Sequence, residues 1–484
     1  MFRKICLLFI LLIGFELHLY TQGVLPQVKL TTFYVSSSKG NDENDGLSEA
    51  TPKRRISEIP KKEFVRLRIK CNDIFFERVY GFNYSIIESY GKGEKPVICG
   101  FKILKDTSLW TYEKNDIWSI ELSDESNFVG YKKVNSLHKY TVNNVGVIYD
   151  SKLDKPYGHL VSNFDSLKMN GDFYMSSQHS ASYFEKNPFS KLYWRNEKNP
   201  KKMGNLAFSM YDVGVTSMNN CTIRNIAVVG FSIHGISGCN NCFIEKCQID
   251  LIGGAAFIRD KDPWCRYGNG IEFWQNASGN YVTGCLISRT FDCATTIQGN
   301  PVNKVVVKDN HFVNNRIYHC RQAFEHFLND QGKDYGSQYE NCSFRCNIAF
   351  EMGNNEFSSP EPRDCNILSY EIRKKTIDIY NNVFFGGNHM YGSWKNVGKQ
   401  HNTIYLYPDQ YLFNTHWKDG FEALLAGDSC MRMEHVALTA DSSKIIVLKR
   451  YSADEAKIKR KILKQVSWKP NGALLNYIKK INRK

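Results

Sequence analysis

Two glutamates stand in short strand-like segments of the 484-residue chain: Glu272, in Asn269-Gly270-Ile271-Glu272-Phe273-Trp274, and Glu325, in Ala323-Phe324-Glu325-His326-Phe327. A pair of carboxyls can do general acid–base work, one giving a proton to a leaving oxygen and the other taking one from water. Two further segments read the same way, around Ile236 and around Ile297. Stacking Ile236, Ile271, Ile297 and Phe324 as an inward column leaves Ser237, Glu272, Gln298 and Glu325 pointing outward. Strands stack ~4.8 Å apart, so Glu272 and Glu325 are expected about 9–10 Å apart, backbone to backbone. Side chains can narrow that to the ~6.5–9.5 Å at which acid and base leave room for a water in inverting glycoside hydrolysis. In this register Gln298 lies between them as a sugar hydrogen-bond donor. Trp274 offers an aromatic platform, and Asp292 can join as a third acid.

Elimination chemistry asks for other groups. A base must remove the proton beside a uronate carboxylate, and a cation must neutralise the charge that develops. Lys261, Arg266, Arg289, Arg321 and His326 are the candidates on that face, with Arg266, Arg289 and His326 the expected substrate contacts. Asp42 and Asp45 supply oxygen ligands of the kind Ca²⁺ takes, although turn formation is the simpler reading. No metal site is expected elsewhere. Cys239/Cys242 and Cys342/Cys346 are short Cys pairs inside strand-like repeats, where burial is the simpler reading. The chain has no phosphate-binding glycine loop on a β–α unit and no serine-hydrolase elbow.

What could position such groups is a repeat. Between Cys221 and Phe385, five segments align on Cys247, Cys285, Asn310, Cys346 and Asn382. Two residues after each stands an apolar residue: Ile249, Ile287, Phe312, Ile348 and Phe384. A looser copy uses Ile223, Ile226 and Val228. The pattern predicts short strands with Asn, Gly or Cys at the bends and no helix between them. The physical solution is a coil of parallel strands whose like residues stack in columns. Intervals longer than a bare turn carry loops, where binding and catalysis usually sit.

The text Phe33-Tyr34-Val35-Ser36, then Gly40-Asn41-Asp42-Glu43-Asn44-Asp45-Gly46, then Ala50-Thr51-Pro52, resembles the opening of secreted bacterial right-handed parallel β-helix proteins of the pectate-lyase superfamily. Glu88-Ser89-Tyr90-Gly91 and Tyr267-Gly268-Asn269-Gly270-Ile271-Glu272-Phe273-Trp274 are similar to that group too. The resemblance spans roughly residues 31–430. It implies an all-β fold: a right-handed parallel β-helix, or solenoid, with a β-rich insertion and a short C-terminal helix. It implies an exported carbohydrate-active protein that cleaves or modifies a complex or acidic polysaccharide, as hydrolase, lyase or epimerase. The alternative is a non-catalytic polysaccharide-binding or cell-envelope protein. The superfamily's polygalacturonase pattern is absent, His234-Gly235 being a fragment of it, so fold does not settle reaction.

The organisation expected is a leader at 1–23, a cap and first turns at 24–105, the insertion at 106–205, the main coil at 206–441 and a basic tail at 442–484. Arg3 and Lys4 followed by the apolar run Ile5–Phe15 read as an export signal, too short for a membrane span. A helix is expected at Ser452–Leu463, with Ser452 and Glu455 as a capping box, covering the coil's open end. The net charge is +14, but Tyr451–Lys484 holds ten Lys/Arg against two acids, so +8 of it is tail. A nucleic-acid-binding body is therefore not indicated. A monomer with a polysaccharide partner is the expectation. The 15 Cys read mostly as small buried rungs rather than a disulfide framework.

Overall fold

The computed structural model describes residues 29–122, 124–130, 145–176, 191–204, 206–259, 262–329, 333, 335–353, 365–370, 377–387, 389–393, 399–401, 404–406, 410–413, 446–448 and 471–481. The chain winds so that each turn visits three faces in order. One turn contributes Thr222–Arg224, Ala227–Val229 and Phe231–Ser237; the next contributes Phe243–Glu245, Gln248–Ile252 and Ile271–Trp274. Equivalent strands pair in parallel, with Ile223 beside Ile244, Val228 beside Ile249 and Ile236 beside Ile271. Repetition builds three long sheets of ten, ten and nine strands. The protein is a right-handed parallel β-helix, the hand that parallel crossovers take.

The bends explain why this sequence coils. Asn225, Lys246, Asn314, Cys346 and Asn381 hold left-handed backbone between the first and second faces, and Gly284 does so where no side chain is present. Ile226 follows the Asn225 bend, and the residues after the other five bends form a column: Cys247, Cys285, Asn315, Asn347 and Asn382. Asn315 donates to Val282 O at 3.1 Å and accepts from Cys285 N at 3.0 Å. Asn347 and Asn382 repeat the pattern. Those steps are 30, 32 and 35 residues long. Two positions of the expected alignment are therefore corrected. Cys346 is the bend residue itself, and Asn310 belongs to another corner, where Asn280 Nδ2 donates to Asn310 Oδ1 at 2.9 Å. Inside, Ile244, Val282, Phe312, Phe344 and Ile379 stack into a buried file. Each such side chain contributes about 1.5–3 kcal/mol relative to exposure.

The coil is interrupted by antiparallel structure. One five-stranded sheet includes Phe101–Leu104, Ile148–Asp150 and Leu206–Ser209; a four-stranded sheet includes Ile117–Glu121 and Lys191–Arg195. Trp110, Trp194, Phe173 and Phe208 give this part a core of its own. In these two sheets the antiparallel pairing runs from Phe101 to Ser209, a few residues outside the expected limits. Gly254, at φ +92°, lets residue 146 come close: a Cβ there would lie 2.2 Å from Gly146 O.

The helix α1, Gly472–Ile481, returns to the early turns. Asn471 accepts from Leu474 N and donates to Lys95 O. Ala473, Leu474 and Ile478 join Val97, Cys99 and Phe101 in one apolar cluster, and Tyr477 packs on Phe76. It lies along the side of the coil. The leader and the helix expected at Ser452–Leu463 lie outside the described residues. Among the described residues no helix is long and apolar enough to cross a membrane.

Candidate functional site

The nine-stranded sheet carries the candidate residues. Its strands are β1 (Val79–Tyr80), β2 (Tyr211–Thr216), β3 (Phe231–Ser237), β4 (Ile271–Trp274), β5 (Cys293–Gly299), β6 (Gln322–Leu328), β7 (Cys365–Tyr370), β8 (His389–Ser393) and β9 (Gln410–Phe413). On β4, Ile271 and Phe273 join the core, which turns Glu272 and Trp274 outward. Across the sheet, Ser237, Glu272, Thr296, Glu325 and Leu368 form one file. Glu272 and Glu325 therefore share a column two strands apart, about 9–10 Å between backbones.

The register differs from the expected one at β5. Thr295 stacks on Ile271 and Phe324, and Ile297 stacks on Phe273. The inward Thr295 hydroxyl is satisfied by Ala323 O at 2.8 Å, which is why a threonine can stand there. Thr296, not Gln298, separates the glutamates. Gln298 lies beside Trp274 and reaches back to Glu272.

Glu272 is a hub. Its Oε2 accepts from Asn269 Nδ2 at 2.8 Å and from Gln298 Nε2 at 2.9 Å. His234 Nε2 lies 3.3 Å from the same oxygen, and Ser237 Oγ donates to Oε1 at 3.2 Å. Groups from β3, from β5 and from the turn before β4 thus converge on one buried carboxylate. A carboxylate has lone pairs enough to accept from several such donors at once. His234 is packed edge-on against Tyr267, their centroids 5.9 Å apart, in the segment that links the coil to the antiparallel part.

Glu325 has other company. The Cys293 thiol lies 3.1 Å from Glu325 Oε2 and 2.7 Å from Gln322 Oε1, sharing one proton between two acceptors. Burial pushes this thiol well above the ordinary range, and the neighbouring carboxyls of Glu325 and Asp292 add to the effect. It stays S–H and donates. Asp292, Cys293 and Glu325 place ligand-type atoms within 4.8 Å of one another. Arg321 Nη1 stands 3.9 Å from Asp292 Oδ1. Further along the sheet, Arg78 donates to Asp212 at 3.1 Å in a buried pair.

The remaining expected contacts are placed as follows. Trp274 is 40% exposed beside this file. Arg266 is engaged by Gly254 O at 2.7 Å and Gly158 O at 2.6 Å, clamping the linking segment to the antiparallel part. Arg289 is on another sheet. It binds Asp250 with Nε at 2.8 Å and with Nη2, and Asp154 with Nη1 at 2.6 Å. It ties the antiparallel part to the coil and is corrected from substrate contact to tether. His326 is corrected too: it points inward, pairing with Ile297 and lying flat on Phe324. It is fully buried, neither ring nitrogen has a partner among the described residues, and burial pulls it down to about 3. The neutral ring is the form that an apolar interior accepts. Lys261 lies outside the described residues.

Asp42 and Asp45 do not form an oxygen cage for Ca²⁺. Asp42 takes Arg54 N, Arg55 N and Arg55 Nε, and Asp45 takes Leu47 N and the Thr51 hydroxyl. A guanidinium already on Asp42 repels a cation.

The alignment of types did not single out His234, Asn269, Cys293 and Gln322 as one file. They occupy neighbouring positions on β3, before β4, on β5 and on β6, three residues ahead of Ser237, Glu272, Thr296 and Glu325. Extending the columns upstream by three would have brought them together.

The fold and site define a right-handed parallel β-helix protein with an antiparallel insertion and a carboxylate-bearing face. No protein-family model matches the chain, and no curated protein matches it. Among solved structures it is similar to one described as the complex of XylC with xylose, at 9% identity and a TM-score of 0.43, covering 78% of this chain and 69% of that one. It is similar to a glycoside hydrolase at 10% identity and a TM-score of 0.36, covering 78% and 96%. A polygalacturonate lyase fused to a self-assembling amphipathic peptide matches at 11% and 0.27, covering 90% of each chain. Likenesses of this size carry no argument about reaction.

Proposed function

We propose that this is a carbohydrate-active protein that hydrolyses a glycosidic bond in a polysaccharide. The observation that supports the reading is the file Glu272–Thr296–Glu325: two buried outward carboxyls, two strands apart, in unlike surroundings. Glu325 acts as general acid and gives its proton to the leaving oxygen. A water attacks the anomeric carbon from the opposite side and loses its proton to Glu272, so configuration inverts. Asn269, Gln298, Ser237 and His234 hold Glu272 ready to accept. Trp274 offers its exposed ring to a sugar face.

Hydrolysis is favoured over elimination because two of the arginines expected to serve a uronate, Arg266 and Arg289, are engaged away from the glutamate file. Arg289 is held by two aspartates and Arg266 by two backbone carbonyls. The test is a panel of neutral and acidic polysaccharides read in two ways. New reducing ends without the ultraviolet absorbance of an unsaturated uronate are expected. That absorbance would mean elimination, and binding without any product would mean a non-catalytic polysaccharide-binding protein.

A further inference from the structure

Among the described residues the hydroxyl of Thr296 has no partner. The residue is fully buried, yet it stands in the outward file, directly between Glu272 and Glu325. Its neighbours make it an exception. Thr295 donates to Ala323 O, Thr290 to Asp292 O, Ser237 to Glu272 and Ser288 to Asp250. A buried hydroxyl left unpaired costs about 1–3 kcal/mol, and proteins keep such groups where a water, a ligand or a catalytic step completes them. A valine of nearly the same shape would avoid that cost and suit a strand as well.

A hydroxyl can donate one hydrogen bond and accept others. Its complement is therefore another hydroxyl-type oxygen. The position between two carboxyls narrows this further, because inverting hydrolysis needs a water held between base and acid side chains. We propose that Thr296 is a positioning residue that holds the attacking water between Glu272 and Glu325. The water's fate rests on the hydrolytic reading above; its presence does not. In the reaction the water oxygen bonds to the anomeric carbon, its proton passes to Glu272, and the glycosidic oxygen leaves with the proton of Glu325. Thr296 gains and loses nothing and only orients the water.

The experiment compares the wild-type protein with Thr296→Val and Thr296→Ser, both by crystal structure and by kinetics. The unliganded wild-type and Ser crystals are expected to show an ordered water within hydrogen-bond distance of the residue-296 hydroxyl and of a glutamate carboxyl. The Val crystal is expected to lack it. On a polysaccharide that is turned over, Val should lower kcat about 100-fold with KM within about twofold, as loss of alignment predicts. Ser should recover most of the rate. A Thr296 hydroxyl turned onto a protein acceptor with no such water overturns the proposal. So does a water that persists in the Val variant, or a soaked oligosaccharide hydroxyl at the site where the free protein holds nothing. If no polysaccharide is cleaved, the hydrolytic reading fails and the crystals alone still decide whether Thr296 holds a water.

Discussion

Glu272 and Glu325 are the same residue type in the same column, two strands apart, yet they live in opposite surroundings. Around Glu272 the neighbours are donors: an asparagine, a glutamine, a serine and a histidine ring. Around Glu325 stand a second carboxyl and a thiol, with one arginine turned towards Asp292. The coil supplies both settings from identical backbone, because each strand can place a different side chain at the same height. Unlike environments for two carboxyls are how one site runs acid and base chemistry together.

The largest expected effect separates the two directly. Glu272→Gln and Glu325→Gln should each cut turnover by about 10²–10⁴-fold, with circular dichroism unchanged. A substrate with a good leaving group should then recover much of the rate in Glu325→Gln and little in Glu272→Gln. Equal recovery in both would erase the assigned difference. A smaller loss, about 10-fold, is expected for Asn269→Ala or Gln298→Ala, each of which removes one donor from Glu272. If the rate does not move, those donors do not tune the base. Cys293→Ser should be milder still, within a few-fold, because a hydroxyl can donate where the thiol does.

The last prediction concerns the reverse face of the Glu325 strand. His326 is neutral in the fold, lowered to about 3 by burial, whereas an unfolded histidine titrates near ~6.5. The stability that depends on its neutrality is whole above ~6.5 and is lost as pH falls towards 3, on the order of 1 kcal/mol per pH unit. Chemical denaturation across that window should show a shallower acid limb in His326→Leu than in the wild type. Parallel curves would mean that other groups set the acid sensitivity.

Much of the coil was legible from residue types. Ile223, Val228, Ile249, Ile287 and Phe384 sit in the core as read, and Glu272 and Glu325 share a column. The errors came from local ambiguity. Asn310 and Asn315 both stand two residues before an apolar residue, Phe312 and Ile317, so each turn holds two corners with one grammar. At β5, Ile297 looked like the match for Ile271. The structure uses Thr295 instead, since a backbone carbonyl can satisfy its hydroxyl. That two-residue difference moved Gln298 off the line between the glutamates and put Thr296 there. His326 was misread for a related reason: its strand continues beyond Glu325, and alternation sends the next residue inward. Arg289 lay beyond reach of the text, because its partners Asp250 and Asp154 come from distant segments.

The corner column has one more consequence. Its early members are thiols, Cys247 and Cys285, which donate to Ile223 O and Ile244 O where the later asparagines donate to equivalent carbonyls. Thiol–disulfide exchange and alkylation need the thiolate and access to it. Both are buried, so they offer no such access while the turns are closed. Each cysteine corner is then a latch whose chemistry is silent until its own turn opens. The rate at which an alkylating reagent labels successive cysteines would chart which end of the coil unwinds first.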